Sequence, residues 1–459
     1  MESSEAKFKK MTETPITKLL VSLAVPTILS MLITAVYNMA DTFFVGKIST
    51  SATGAVGIAF SLMSTFQSVG FLLGAGAGTL ISRLLGEQNR QYASKVASTA
   101  FFTSLAAGAF MTITGLIFLD PLIKILGGTP TIFPHAKDYV FYILLGAPFI
   151  VSSFVLNIVI RFQGNAFYSM FGLCFGGLLN IVLDPIFIFT LKMGTGGAAL
   201  ATVISQFVSF CILLYMCGKG GNIKMNFKDF TFKWSVHKEI LRNGLPSFYR
   251  QSLASLAIMT LNLTARPYGD AAIAAMSIVG RALYLPFSVL LGFGQGFQPV
   301  CGFNYGAKKY DRVIEAYWIS IKVGAIGLTL ASIVGAIFAP EIIAIFRKGD
   351  PEVIAIGTTA LRLNCIGFPL MAWIVINNMM FQSIGKAKEA SILSLARQGL
   401  FFIPLLLILP SFSGILGIQL SQPISDILTF AIALPMGIKV LNELNALKNA
   451  QSDGKSDVI

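Results

Sequence analysis

Apolar segments long enough to cross a lipid bilayer recur along the whole chain, and this pattern limits the fold more than any other feature of the sequence. A transmembrane helix needs about 20 mainly apolar residues. Only 12% of the residues are charged, whereas water-soluble domains contain about 25%. We predict twelve membrane-spanning helices near residues 17–45, 54–82, 94–118, 138–160, 167–191, 197–217, 240–265, 272–300, 313–339, 353–381, 388–410 and 414–439.

The two halves of the chain repeat each other. Pro26 in LAVPTIL corresponds to Pro246 in NGLPSFY, and Gly86 in RLLGEQN corresponds to Gly306 in FNYGAKK. LLGAGAG in the second predicted helix also resembles LLGFGQG in the eighth. Several matches in order at nearly one offset indicate an internal duplication. Because each repeat contains an even number of spans, both enter the membrane in the same direction, which is a transporter architecture with the site between or within the halves.

The predicted domain organisation and orientation follow from this duplication and from the positions of lysine and arginine. The predicted segments are an N-lobe at 1–217, a linker at 218–239, a C-lobe at 240–440 and a tail at 441–459. With the N-terminus inside, 22 lysines and arginines fall in cytoplasmic segments and seven fall outside. This bias places both termini and the linker in the cytoplasm of a multi-pass cell-membrane protein.

The remaining composition excludes several functional classes. The net charge of +13 is explained by cytoplasmic loops, since no basic segment is interleaved with aromatic residues as in a nucleic-acid groove. The five cysteines form no CxxC pair and the two histidines are isolated, so we expect no metal or redox site and no cofactor. No HExxH, GxSxG or GxGD motif is present, and we predict that the protein is not an enzyme.

Two carboxylates inside apolar segments are the main candidates for function. Asp41 lies in the first predicted helix, with Tyr37 and Asn38 on the same face. Asn180 and Asp184 repeat the spacing of an amide and a carboxylate in the fifth helix. A charge at the centre of a bilayer costs about 3 kcal/mol on insertion scales, so it normally faces a cavity or a partner. We therefore predict that these residues form a binding site for a proton or another cation.

Other polar residues leave alternatives open. Thr202 in the sixth helix adds a hydroxyl that could ligate a cation such as Na⁺. Asn157 is a weaker cavity candidate, and a helix–helix hydrogen bond explains it equally well. Either carboxylate alone could instead form a structural ion pair. In the second half, the intramembrane arginines could be structural or functional, with Glu389 and Asp426 as partners for some of them. Those arginines are Arg250, Arg281, Arg362 and Arg397.

The chain resembles the multidrug and toxic compound extrusion (MATE) family over nearly its whole length. The resemblance is carried by the duplicated six-helix layout, AVPTILSMLITAVYNMADTFFVG, GAGAGTLISRLLGEQN, RFQGNA and LNIVLDPIFIF. It implies an exporter in which H⁺ or Na⁺ moves inward and an amphipathic, often cationic, drug-like solute moves out. The family's prokaryotic branch with acids in helices 1 and 5 implies a cation site at Asp41, Asn180, Asp184 and Thr202, with Tyr37 beside it.

The resemblance also bears on the cavity, on the second half and on partners. Weaker candidates for the wall of the substrate cavity are Asn38, Asn157, Met31 and Pro26. The seventh-helix acid of other branches is absent, since Leu261 and Thr264 occupy that region, so we expect ion coupling in the N-lobe alone. A single chain with two halves could function as a monomer in the bilayer. The alternatives are a flippase for a lipid-linked precursor, which would need a basic central cavity, and a channel or sensor.

Overall fold

The computed structural model describes residues 4–219, 223, 225–347 and 349–452, and these residues form helices and no β-strand. The first residues of the N-terminal segment, four linker residues, Lys348 and the end of the predicted tail lie outside the described residues. The helices agree with the predicted spans, and most are longer than predicted by a few residues at each end. A span predicted from hydropathy leaves out the polar residues at the ends of a helix, and this accounts for the difference in length.

The first half of the chain contains eight helices, six of them long. They are α1 (Ser4–Glu13), α2 (Ile16–Gly46), α3 (Thr50–Gly86), α4 (Arg90–Ile117), α5 (Leu119–Ile125), α6 (Phe133–Phe162), α7 (Ala166–Pro185, continued by a π-helix at Ile186–Thr190) and α8 (Gly194–Lys219). A single 3₁₀ turn at Phe227–Asp229 interrupts the described part of the linker. Helices α2, α3, α4, α6, α7 and α8 provide the six spans of the N-lobe.

The second half repeats this order. It consists of α9 (Trp234–Ala265), α10 (Asp270–Gly306), α11 (Tyr310–Ile337), α12 (Ala339–Phe346), α13 (Pro351–Gly367), α14 (Met371–Ser383), α15 (Ala387–Leu395), α16 (Ile403–Ile408), α17 (Pro410–Ser413) and α18 (Ile415–Ser452). A 3₁₀ turn at Phe368–Leu370 joins α13 to α14 in one span, and a π-helix at Ala396–Phe402 joins α15 to α16.

Eleven spans among the described residues are long and apolar enough to cross a membrane, and α9 is the twelfth. It carries charged residues, including Arg242 and Arg250, which lower its hydropathy. The protein is therefore a multi-pass helical membrane protein with twelve spans in two repeats. Helices extend into both of the segments that were predicted as tails. Residues 441–452 continue α18, and α1 contributes a buried Met11 to the core.

Backbone geometry shows the duplication directly. The turn after α6 places Gly164 at φ +82°, and the turn after α14 places Gly385 at φ +87°. The turns after α3 and α10 likewise place Gln88 at φ +61° and Lys308 at φ +58°. Left-handed conformations are uncommon for residues other than glycine. Because these conformations recur at matching positions, the two halves contain the same turns in the same order.

Glycines let the two lobes approach at backbone distance. A Cβ on Gly76 of α3 would collide with the carbonyl oxygen of Ile240 in α9, and a Cβ on Gly296 of α10 would collide with the backbone of Ala24 in α2. Gly86 and Gly306 meet in the same way where α3 and α10 cross. The glycine-rich motif of the second span therefore serves helix packing, as small residues do in membranes. The structural repeat pairs Gly76 with Gly296, which corrects the motif alignment by two residues.

Candidate cation site

The carboxylate of the first span and that of the fifth span belong to neighbouring helices. Helix α7 packs against α2, and Gly177 permits the approach, since a Cβ there would lie 3.0 Å from the Tyr37 ring. Asp41 lies near the end of α2, whereas Asn180 and Asp184 lie on the last turns of α7. The close packing at Gly177 brings these polar turns to the same region of the N-lobe.

Asn180 connects two of the predicted residues. Its Nδ2 donates to Asp184 Oδ1 at 3.0 Å and to Thr202 Oγ1, on α8, at 3.3 Å. All three side chains are buried, with exposed fractions of 3%, 0% and 5% in that order. A buried amide shared between a carboxylate and a hydroxyl fixes the positions of both.

Tyr139 joins Asp41 to this group, and the sequence did not reveal it. This α6 side chain is 1% exposed and lies near Asp41 and Thr202, although no hydrogen bond to either is present among the described residues. A tyrosine in the outer part of an apolar segment is usually an interfacial anchor. Only the packing of α6 against α8, and of α7 against α2, shows that it faces the carboxylates.

Three oxygens in this cluster are free to accept. Asp41 Oδ1, Asn180 Oδ1 and Asp184 Oδ2 are buried and have no hydrogen-bond partner among the described residues. The ion pairs found among the described residues involve other carboxylates. Buried acceptors without donors cost about 1–3 kcal/mol each. Hard oxygen donors lacking a counter-charge suit a proton or an alkali cation.

The weaker cavity candidates are distributed differently. Met31 is half-buried and Asn38 is exposed, while Tyr37, which was predicted beside the cation site, is also half-buried. Pro26 is buried within α2, which continues as one helix through it. Asn157 of α6 forms hydrogen bonds with α7, because its Nδ2 donates to Ser169 O at 3.0 Å and to Ser169 Oγ at 2.6 Å. It therefore forms the helix–helix hydrogen bond that the sequence left open.

The described part of the second half contains no corresponding carboxylate cluster. Leu261 and Leu405 occupy the positions equivalent to Asp41 and Asp184. The buried acid of this half, Asp426, accepts from Arg397 Nε at 2.9 Å and from Gln422 Nε2 at 2.8 Å. Asp426 is thus a paired, structural carboxylate, and Arg397 is the partner that the sequence suggested for it.

A duplicated six-span bundle with a counter-ion-free carboxylate cluster in one half has the architecture of a membrane transporter. The MatE family profile matches residues 26–186 and 246–408, once in each half of the chain. The two matches begin 220 residues apart, which is the offset of the internal repeat (246 − 26 = 220). The chain belongs to the MatE family.

Related proteins and structures agree with this assignment. The chain is 28% identical to the multidrug export protein MepA of Staphylococcus haemolyticus over 448 residues, covering 95% of this chain and 96% of that protein. The fold is similar to that of a MATE protein crystallised in complex with MaL6, with a TM-score of 0.90, 27% identity and coverage of 96% and 99%. It is also similar to an outward-facing multidrug resistance MATE transporter of the MOP superfamily, with a TM-score of 0.88, 27% identity and coverage of 95% and 98%.

Proposed function

We propose that the protein is a cation-coupled antiporter that exports amphipathic, often cationic, small molecules while H⁺ or Na⁺ moves inward. The observation that carries this proposal is the set of free oxygens on Asp41, Asn180 and Asp184, with no counter-cation among the described residues. The names of the relatives, which describe multidrug export, support the substrate class.

The carboxylate pair supplies the coupling step. Two negative charges in a low-dielectric region repel each other, and a bound proton or Na⁺ removes part of that cost. Asp41 and Asp184 lie close enough to interact electrostatically. Binding of the cation therefore stabilises the packed arrangement of α2 and α7, and its departure favours an arrangement with the two carboxylates apart.

Alternating access results from movement of the two lobes relative to each other. α3 packs on α9 and α10 on α2 through glycines at backbone distance. Such tight contacts favour discrete packed states over continuous deformation. Rocking of one repeat against the other would break this set of contacts and open the opposite end. A membrane potential of 100 mV contributes about 2.3 kcal/mol for each positive charge that moves inward.

The same proposal sets the orientation and the partners. Both termini and the linker lie in the cytoplasm, in keeping with the lysine and arginine distribution. The protein works in the cell membrane as a monomer, because one chain supplies both halves. Its ligands are small amphipathic molecules and the coupling ion, with no organic cofactor.

The arginines of the second half argue against a lipid-linked precursor flippase. Such a flippase needs a strongly basic central cavity. Arg397 is paired with Asp426, and Arg362 donates to the carbonyl oxygen of Ala336 at 3.1 Å. Arg281 is an exposed side chain. Two of these four arginines are therefore held by protein groups, and Arg250 and Arg281 form no ion pair among the described residues.

Dye efflux from reconstituted vesicles tests the proposed function. A fluorescent cationic dye is loaded, a H⁺ or Na⁺ gradient is imposed, and native protein is compared with Asp41→Asn and Asp184→Asn. We expect gradient-driven efflux to be lost in both variants. Asp138→Asn, which removes an exposed acid at the start of α6, should retain efflux. Equal efflux from all four proteins would refute the assignment of the cation site.

A further inference from the structure

The described part of the linker between the two lobes exposes three large aromatic side chains. Phe227, Phe232 and Trp234 are 70%, 85% and 68% exposed. They belong to the short segment FKDFTFKW, residues 227–234, in which a lysine twice follows an aromatic residue. Clustered apolar surface of this kind marks a contact with a protein or a membrane. The segment is therefore a candidate interaction surface.

Contacts with α4 hold this segment in one position. The backbone N–H of Asn226 donates to Ser98 Oγ at 3.1 Å. The rings of Phe227 and Phe230 pack edge to face on the ring of Phe102, with centroids at 5.2 and 6.0 Å. Ser98 and Phe102 lie near the start of α4, which is a membrane span. The segment therefore lies beside this span where the span enters the bilayer.

The exposed charges beside these aromatic side chains all have the same sign. Among residues 226–239, each exposed charged side chain is a lysine, and no described carboxylate forms an ion pair with Lys228, Lys233 or Lys238. Two acids of this segment, Asp229 and Glu239, are half-buried, and Glu239 accepts a hydrogen bond from a tyrosine hydroxyl of α4. Basic residues at a membrane surface attract acidic lipid headgroups. This charge pattern favours a negatively charged partner.

The first repeat shows that the fold does not require these residues. At the repeat offset of 220 residues, buried residues at the start of α9 align with buried residues at the start of α2. At the same offset, Trp234 corresponds to Thr14, and Lys233 corresponds to Glu13, which has the opposite charge. The aromatic residue and the positive charge are therefore features of the linker and not of the repeated fold.

We infer that the linker binds acidic phospholipids of the bilayer through a surface formed by Phe227, Lys228, Phe232, Lys233 and Trp234. The aromatic side chains enter the interfacial region of the membrane, where such side chains are favoured. The lysines contact the negatively charged headgroups. A lipid bound here touches the linker and lies beside α4, so it holds the connection between the lobes against the N-lobe. The inference concerns lipid binding and does not depend on the proposed antiport.

Quenching of tryptophan fluorescence in reconstituted vesicles tests this inference. Because the chain contains three tryptophans, Trp318→Phe with Trp373→Phe leaves Trp234 as the single fluorophore. The vesicles contain phosphatidylglycerol, which is acidic, and phosphatidylcholine, which is neutral, in equal amounts, and only one of the two lipids is brominated in each preparation. We expect both brominated lipids to quench Trp234, and brominated phosphatidylglycerol to do so at least about twofold more strongly.

A charge reversal at the linker should remove this preference. Lys233→Glu introduces the residue of the other repeat, and we expect it to reduce the preference for phosphatidylglycerol at least about twofold. Lys124→Glu is the matched control, because it makes the same charge change at an exposed lysine of α5, outside the linker. This control should keep the native preference. An equal loss in both variants would show that the preference does not come from the linker lysines, and would overturn the inference.

Aqueous iodide is the second quencher and separates the other possible occupants of this surface. Strong quenching of Trp234 by iodide with none by either lipid would place the linker in water. Weak quenching by all three would show that protein, such as a second copy of the chain, covers Trp234. Equal quenching by the two lipids would show an aromatic anchor without headgroup recognition. Each of these results would overturn the inference.

A comparison that keeps the other two tryptophans replaces the single-tryptophan protein if that protein does not fold. Native protein and Trp234→Thr are then measured in the same vesicles, and the difference in their quenching reports on Trp234. Since Trp234 is an exposed side chain, its replacement should leave the fold intact. We expect this difference to show the same preference for phosphatidylglycerol, and no difference between the two proteins would overturn the inference.

Discussion

Asn157 and Asn378 make the same contact in the two halves of the protein. Asn157 Nδ2 donates to the backbone oxygen of Ser169 at 3.0 Å, and Asn378 Nδ2 donates to that of Ala390 at 2.7 Å, in each case twelve residues further along. Each amide also donates to a serine hydroxyl, that of Ser169 or Ser394. Because this contact is present in both lobes, we assign it to the architecture of the repeat. The carboxylate cluster, by contrast, is found in the N-lobe alone among the described residues.

Replacing either asparagine by alanine should destabilise the protein to a similar extent. Each change leaves buried acceptors without their donor, at a cost of about 1–3 kcal/mol. We expect Asn157→Ala and Asn378→Ala to lower the Tm together and to leave the cation dependence of dye efflux unchanged in the protein that remains folded. If Asn157→Ala kept its Tm and abolished efflux, Asn157 would be a substrate-cavity residue as the sequence allowed.

A methyl group at Gly76 should push the lobes apart. Its Cβ would meet the Ile240 carbonyl oxygen and the Gly244 backbone, neither of which is the end of a flexible side chain. Overpacking of this kind costs about 1–3 kcal/mol. Gly57→Ala on the same helix is the matched control, because its Cβ would meet nothing within 4 Å. Gly76→Ala should lower the Tm and Gly57→Ala should not; equal Tm values would show that the lobes are not held by this contact.

Arg83 should hold the lobes together at the end of the bundle where Gly86 meets Gly306. Its Nη1 donates to Ser383 O at 2.8 Å, from the N-lobe to the C-lobe. Hydrogen bonds to charged groups contribute about 1.5–3 kcal/mol. Arg83→Gln should therefore increase maleimide labelling of Cys301, which is fully buried beside it, in a variant whose other cysteines are serine.

The control for this labelling experiment is Arg90→Gln, which removes an exposed arginine at the start of α4. Labelling of Cys301 should remain at the native rate in that variant. A native rate in Arg83→Gln as well would mean that the interlobe hydrogen bonds do not limit opening. The position equivalent to Arg83 in the other repeat is Phe303, so no second copy of this arginine can compensate.

The buried carboxylates of the two lobes should differ in their effect on stability. Asp426→Asn leaves the Arg397 guanidinium without its counter-charge, and breaking a buried pair costs about 3–5 kcal/mol. Asp184→Asn removes a charge that has no cationic partner, so its cost should be below about 1 kcal/mol. Denaturation of both variants in detergent measures the difference. A larger loss for Asp184→Asn would indicate a structural role for Asp184.

The sequence predicted the spans, the duplication and part of the site for identifiable reasons. Span prediction succeeds because each helix must be apolar over the thickness of a bilayer. Asn180 and Asp184 are four residues apart on one helix, so helical geometry alone predicts that they share a face. The contacts that the site residues make with other helices, by contrast, depend on how the helices pack. Helix packing cannot be read from a local pattern in a single sequence.

Tyr139 shows where prediction from sequence ended. Tyr139 lies near Asp41 because α6 packs against α7 and α8, and α7 packs against α2. The alignment of the glycine motifs was off by two for a similar reason, since only the interlobe contacts define which glycines are equivalent.

The most direct test of the central claim is to measure whether the coupling cation leaves when substrate binds. Purified native protein in weakly buffered detergent is titrated with a cationic dye, and released H⁺ or Na⁺ is measured beside dye binding. We predict cation release with dye binding in the native protein, and dye binding without release in the double variant Asp41→Asn, Asp184→Asn. Equal release from the native protein and the double variant would contradict a coupling site at these carboxylates.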